Sequence, residues 1–385
     1  MLHSKTLNWA LAIVCCLICC GCSLPQVTAE SRIFLNLDLE FVGDYALPQT
    51  SFEGTTVGGL SALTYDQRRD LIYALSDDRQ QPRFYTLALN ISEADQIEEI
   101  TVETVTVLQD EQEQSVAPKV LDPEGIVLTP QDQLWISSEG VQTQSPPILA
   151  AFDLAQGSWQ EQLKLPSHFL PALATDELET SEPPAPQGIA DNRGFEALAI
   201  SPEGDRIFTA TELPLIQDVN PDDSDPKFYS RLLHYLVGDV RPLLISEYLY
   251  PLEPPTLGTG LNGLTELTTL DSGGHFLSLE RSFSPLSGFN AKVFQIATGG
   301  ATDTSSLEKL ELPLQGVNPV FKQPLLNLRD LGMTLSNLEG MVSGPILSDG
   351  SRSLLLVSDN GFEAEQPTQF LLFRLKKKPQ QSTSG

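Results

Sequence analysis

One short pattern returns five times along the chain, and a repeat of this kind leaves few folds open. Its copies are Gly59-Leu60-Ser61-Ala62-Leu63, Pro123-Glu124-Gly125-Ile126-Val127, Phe195-Glu196-Ala197-Leu198-Ala199, Leu264-Thr265-Glu266-Leu267 and Leu338-Glu339-Gly340-Met341-Val342. About 10 to 15 residues after each copy, an apolar run ends in polar or acidic residues, as in Leu75-Ser76-Asp77-Asp78 and Val357-Ser358-Asp359-Asn360. With Ser61, Glu124, Glu196, Thr265 and Glu339 as register marks, the spacings are 63, 72, 69 and 74 residues. Two more strand-like stretches fit between marks, for example 83–90 and 99–108, with alternating apolar residues. Four strands per unit in fixed order predict an all-β fold, a single β-propeller of four-stranded blades over residues 32–375. Five marks give five blades. A sixth stays open, because the spacings exceed the roughly 40–50 residues usual for one repeat. Pairing the run 369–375 with the run 32–42 would close the ring and hide two sheet edges. Residues 376–385 read as a frayed polar tail.

Charge and cysteine placement narrow the function. The chain carries 51 acidic and 23 basic side chains, a net charge of −28, which repels a polyanion and excludes phosphate-backbone binding to nucleic acid. All five cysteines lie at Cys15, Cys16, Cys19, Cys20 and Cys22. The body therefore has no disulfide framework, thiolate metal site or catalytic cysteine. Lys5 precedes the apolar run 7–20, which has signal-peptide length and is too short to span a bilayer. The segment Ile18-Cys19-Cys20-Gly21-Cys22 resembles a bacterial lipobox. It predicts removal of 1–21, acylation of Cys22, a tether over 22–31 and attachment to a membrane facing the periplasm or exterior. Val27-Thr28-Ala29 offers ordinary cleavage after 29 instead, giving a soluble secreted protein. The mass of the mature N-terminus separates the two.

In a propeller, equal repeat positions converge on one axis. That places Glu124, Glu196 and Glu339 at the starts of first strands beside Asp77, Asp78, Glu139, Glu212, Glu280 and Asp359 at the ends of second strands. Nine carboxylates in one funnel repel unless a cation sits among them, and an oxygen-only ligand set selects hard ions, Ca²⁺ before Mg²⁺. Arg79, Arg193 and Arg281 adjoin the set, and their planar forks suit phosphate oxygens. The expectation is a small anionic substrate bound through a cation. The second six acids are read as metal ligands, the three glutamates as ligands or general base, and the arginines as phosphate binders. The same recurrence is also what blade folding alone would produce, with glutamates capping turns and arginines making structural ion pairs. Other chemistries fail: there is no nucleophile elbow, no H-E-x-x-H pattern and no phosphate-binding glycine loop. The cluster Asp222-Asp223-Ser224-Asp225 lacks the spacing of an EF-hand and reads as a solvated loop.

The repeated words resemble the esterase-like domain of the phytase-like family, a group of bacterial secreted β-propellers. The resemblance rests on Gly58-Gly59-Leu60-Ser61-Ala62-Leu63 with Ser76-Asp77-Asp78-Arg79, on Asp122-Pro123-Glu124-Gly125-Ile126 and on Arg193-Gly194-Phe195-Glu196-Ala197-Leu198. It continues through Leu279-Glu280-Arg281-Ser282-Phe283, Asn337-Leu338-Glu339-Gly340-Met341 and Ser358-Asp359-Asn360-Gly361-Phe362. The family's name implies phosphoester hydrolysis, although the motifs of the metal-dependent β-propeller phytases proper are not found here; with the acidic ring the expectation is metal-dependent hydrolysis of a phosphate ester, by a monomer. Two alternatives stand beside it: a non-catalytic metal-dependent binding propeller, and a lactone or carboxylic-ester hydrolase.

Overall fold

The computed structural model describes residues 33–141, 144–171, 186–220, 227–238, 241–254 and 261–378. The export signal, the tether, Cys22 and the loop 222–225 lie outside them. The described chain is built of strands, with only short 3₁₀ turns between. After β1 (Leu37–Leu47) and a small hairpin of β2 (Thr50–Phe52) and β3 (Thr55–Val57), it forms five four-stranded antiparallel sheets. Blade 1 holds β4 (Leu60–Asp66), β5 (Leu71–Ser76), β6 (Arg83–Ile91) and β7 (Ile97–Val107). Blade 2 holds β8 (Pro123–Leu128), β9 (Gln133–Ser138), β10 (Ile148–Asp153) and β11 (Trp159–Gln162). Blade 3 holds β12 (Phe195–Ile200), β13 (Arg206–Thr211), β14 (Tyr229–Leu236) and β15 (Leu243–Pro251). Blade 4 holds β16 (Leu261–Thr269), β17 (His275–Ser284), β18 (Gly288–Ala297) and β19 (Phe321–Asn327). In blade 5, β20 (Asn337–Ile346), β21 (Arg352–Asp359) and β22 (Thr368–Lys377) are completed by β1.

That last pairing fastens the ring: Leu39 stands opposite Leu375 and Leu47 opposite Thr368. The expected partners are found, with β1 running later (37–47) than the predicted 32–42 and β22 reaching Lys377, into the predicted tail. First strands touch in sequence, β4 to β8, β12, β16 and β20, and β20 touches β4 again. The ring therefore closes with five blades, and the open question of a sixth is answered.

Why the strands read as they do follows from packing. A middle strand is covered on both faces by neighbouring blades, so it is apolar almost continuously, as in Leu354–Val357, all fully buried. The outermost strands have one wet face and alternate, as β7 does. The apolar side chains form five clusters, one at each blade interface. Leu60, Tyr85, Leu355 and Phe370 join blades 1 and 5, for example, and Trp135, Phe195 and Leu233 join blades 2 and 3. Flat sheets held face to face put the strand ends at two rims. The sequence repeat sits at one of them.

A candidate metal centre at the mouth of the channel

The repeated pattern marks a repeated backbone irregularity. In every blade the register between first and second strand shifts by one residue, and the skipped residues are Ser61, Glu124, Glu196, Thr265 and Glu339. A β-bulge frees the extra residue from the ladder and re-aims its side chain. Five bulges at one height therefore present two hydroxyls and three carboxylates around the axis. Just before each bulge, the paired residue on the second strand is Ser76, Ser138, Thr211, Glu280 or Ser358. The next residue along is Asp77, Glu139, Glu212, Arg281 or Asp359. The mouth is thus lined by Asp77, Glu139, Glu212 and Asp359 with the three bulged glutamates, and by one arginine.

This register corrects the place expected for Glu280. It stands at the hydroxyl position, one residue short of the acids, and side chains one residue apart on a strand point to opposite faces. Glu280 is 1% exposed, accepts from Tyr250 Oη at 2.8 Å and from Asn262 at 2.8 Å, and pairs with Lys322. It therefore does not share the funnel. Arg281 takes the funnel position instead, with Nη2 at 3.1 Å from Glu339, 3.4 Å from Glu212 and 3.9 Å from Glu196. It neutralises that half of the mouth, and its Nε is buried without a hydrogen-bond partner. Asp78 is also outside. Its carboxylate pairs with the buried Arg83 at 2.6 Å and accepts the Gln80 N–H at 2.8 Å, closing the turn after β5.

On the other half, Asp122, Glu124 and Glu139 bring carboxylate oxygens within 4.8 Å of one another. Asp122 was not among the residues singled out from sequence as ligands. It is held by Arg79, whose Nε and Nη2 lie 2.6 and 2.5 Å from its two oxygens. That bidentate pair ties Arg79 to Asp122. The Gly194 N–H donates to Glu139. The preceding Arg193 meets its nearest carboxylate, Glu212, only at 3.8 Å, so it is the arginine left for an anion at the rim. Asp77 Oδ1 is buried with no hydrogen-bond partner. Gly59, at φ +58°, makes this possible, since a Cβ there would stand 2.1 Å from that oxygen.

Electrostatically the mouth is strained. Burial, then the Asp359 and Glu339 charges, push Asp77 up to about 9. Burial and Glu212 push Glu139 up to about 8, against the Gly194 N–H. Burial raises Glu339 to about 7 although Arg281 opposes it. Burial followed by neighbouring carboxylates holds Glu124 and Glu196 well above the usual range. Burial also raises Asp122, Glu212 and Asp359. Such a set keeps protons or takes a cation. The donors, all carboxylate oxygens, fit a hard cation.

Sequence reasoning also missed Glu266, 1% exposed on β16. Its carboxylate accepts the N–H groups of Leu198 at 3.1 Å and Leu267 at 2.9 Å, and that of Met341, tying the first strands of blades 3, 4 and 5. The far end of the channel opens into a separate cavity of about 790 Å³, lined by Tyr65, Arg68, Thr129, Thr268 and Arg352 among others.

Fold and site together define a five-bladed propeller with a buried acidic cluster able to hold a metal at one mouth. Residues 55–362 match the model of the phytase-like family, described as esterase-like activity of phytase, and the chain belongs to that family. No curated protein matches it. Among solved structures it is similar to the N-terminal domain of Nup159 (12% identity, TM-score 0.37, covering 89% of this chain and 96% of that one). It is similar also to a gluconolactonase from Xanthomonas campestris (10%, 0.33, 90% and 92%) and to the Malassezia sympodialis allergen Mala s 1 (11%, 0.39, 85% and 96%).

Proposed function

We propose that the protein is a calcium-dependent phosphate-ester hydrolase acting outside the cytoplasm. The observation that carries the reading is the half of the mouth that Arg281 does not reach: three converging carboxylates, a buried Asp77 oxygen without a hydrogen-bond partner, and Arg193 no nearer than 3.8 Å to a carboxylate. Asp122, Glu124 and Glu139 would hold Ca²⁺, and Asp77 adjoins them. The ion would supply charge for a phosphate oxygen and make water more acidic. Arg193 binds the phosphate from the rim, and Arg79 keeps Asp122 aimed. Glu196, on the neighbouring bulge, gives up its own proton when a cation occupies the mouth and then takes the proton of the attacking water. The water oxygen bonds to phosphorus, the phosphorus–oxygen bond to the alcohol breaks, and the departing alkoxide takes a proton from solvent at the open mouth. Arg281 and Glu339 fix the opposite wall.

The test is hydrolysis of a phosphate monoester with Ca²⁺ and after chelation. Chelation removes activity, Glu124→Gln lowers kcat/KM at least about a hundredfold, and Arg193→Ala raises KM more than it lowers kcat. Calcium-dependent stabilisation without turnover of any ester makes the protein a binding propeller instead. Export rests on the N-terminal sequence. No described helix is long and apolar enough to cross a membrane.

A further inference from the structure

In four blades the ladder between second and third strands stops at or just before the mouth: Ser76 pairs with Arg83, Ser138 with Ile148, Ala210 with Leu232 and Val357 with Phe370. Blade 4 does not stop. Its ladder continues past the Arg281–Ala291 pair through Ser282–Asn290 and Phe283–Phe289 to Ser284–Gly288. The chain turns there over Pro285, Leu286 and Ser287, with the Ser287 N–H donating to the Ser284 carbonyl at 3.1 Å. An extension of the sheet thus stands above the rim on one side only, followed by β16 as far as Leu261 opposite Phe283, with the Ser284–Gly288 turn beyond it as a two-stranded tip.

Its chemistry differs from everything below it. Phe283 lies two residues beyond Arg281, and residues two apart on a strand share a face. Phe289 is directly opposite Phe283, so it shares that face too. The face that carries Arg281 into the acidic ring therefore carries an aromatic pair about 7 Å further out, at about 3.4 Å per residue. The two rings lie 4.9 Å apart and tilted by 54°. Phe283 is 40% exposed and Leu286, at the turn, 89%. A ribbon at the rim of a highly acidic protein gains nothing in solubility from such side chains, which stay partly exposed at Phe283 and almost wholly at Leu286.

We propose that this ribbon is the wall for the organic part of the substrate, so that the preferred phosphate ester carries an apolar, aromatic-sized alcohol and not a polyol. The proposal rests on the hydrolase reading of the mouth. The two parts fit by continuity. An anion held by the rim cation and Arg193 leaves its ester group pointing out of the channel, and the aromatic pair is what blade 4 offers it there. Burying one ring against the pair favours it by about tenfold or more over a methyl group.

Two arms test this with calcium-loaded full-length protein. In turnover, benzyl phosphate and glycerol 1-phosphate are compared, two alkyl esters with leaving groups of similar basicity. The expected kcat/KM ratio favours benzyl by about tenfold and falls toward unity in Phe283→Ser and in Leu286→Glu, with glycerol 1-phosphate unaffected. In binding, calorimetry compares benzylphosphonate with methylphosphonate, neither of which is hydrolysed. Benzylphosphonate binds more tightly in the wild type and not in Phe283→Ser. Equal use of both esters, or preference for glycerol 1-phosphate, overturns the wall while leaving a hydrolase. No turnover of either ester, with benzylphosphonate still preferred through Phe283, overturns the hydrolase while supporting the wall. No discrimination between the phosphonates in the wild type overturns the wall in every case.

Discussion

A one-residue displacement decides what Glu280 does. In four blades the mouth acid follows a hydroxyl residue, as Ser76-Asp77, Ser138-Glu139, Thr211-Glu212 and Ser358-Asp359. In blade 4 the acid follows Leu279 and an arginine comes next, which is the signal that the acid stands one place early. Turned to the other face, Glu280 requires a cation. Lys322 supplies it, lodged 4.0 Å from the centre of the Phe294 ring and 4.7 Å from that of Tyr250. Breaking a buried pair from one side leaves a charge without compensation. Lys322→Met is expected to cost about 3–5 kcal/mol in urea unfolding, and adding Glu280→Gln recovers part of it. Ca²⁺ affinity stays as in the wild type, because neither residue faces the mouth. Arg79 and Asp122 show the limit of reading residues singly: each is visible in sequence, but their bidentate pairing depends on two loops 43 positions apart meeting at the rim.

At the level of elements, five marks in the sequence turned out to be five bulges. The pattern was legible because the same small or acidic residue recurs at the same distance from a strand's end. The bulge itself was not, since alternation of apolar residues looks alike with or without one extra residue. Ring closure was legible from two strands lacking partners, 369–375 and the N-terminal run. What holds the first strands together at the axis was not, because Glu266 sits inside an apolar word and looks like a surface residue. Its carboxylate accepts backbone N–H groups of Leu198 and Met341 from the two adjacent blades, and that of Leu267 on its own strand. Glu266→Leu leaves Leu198 and Leu267 with buried, unpartnered donors and is expected to cost roughly 2–6 kcal/mol, read as a lower denaturant midpoint. A Glu266→Gln variant, which keeps an acceptor oxygen, loses clearly less.

Over the whole molecule, the charge of −28 is less telling than where part of it is concentrated. Asp77, Asp122, Glu124, Glu139, Glu196, Glu212, Glu339 and Asp359 are all raised, each first by burial. The folded protein therefore keeps protons that the unfolded chain has released above about pH 4. More protons bound in the fold means that stability falls as pH rises, from about pH 4 to about 9, where Asp77 gives up its own. A bound cation displaces those protons, so its affinity rises over the same window and offsets the loss. The most direct measurement is the melting temperature between pH 5 and 9, with Ca²⁺ and with chelator, for the wild type and for Glu124→Gln. The account predicts a melting temperature that declines with pH under chelator, a Ca²⁺ stabilisation that grows toward pH 9, and little Ca²⁺ effect in the variant. Melting that is the same with Ca²⁺ and with chelator across this range would contradict it.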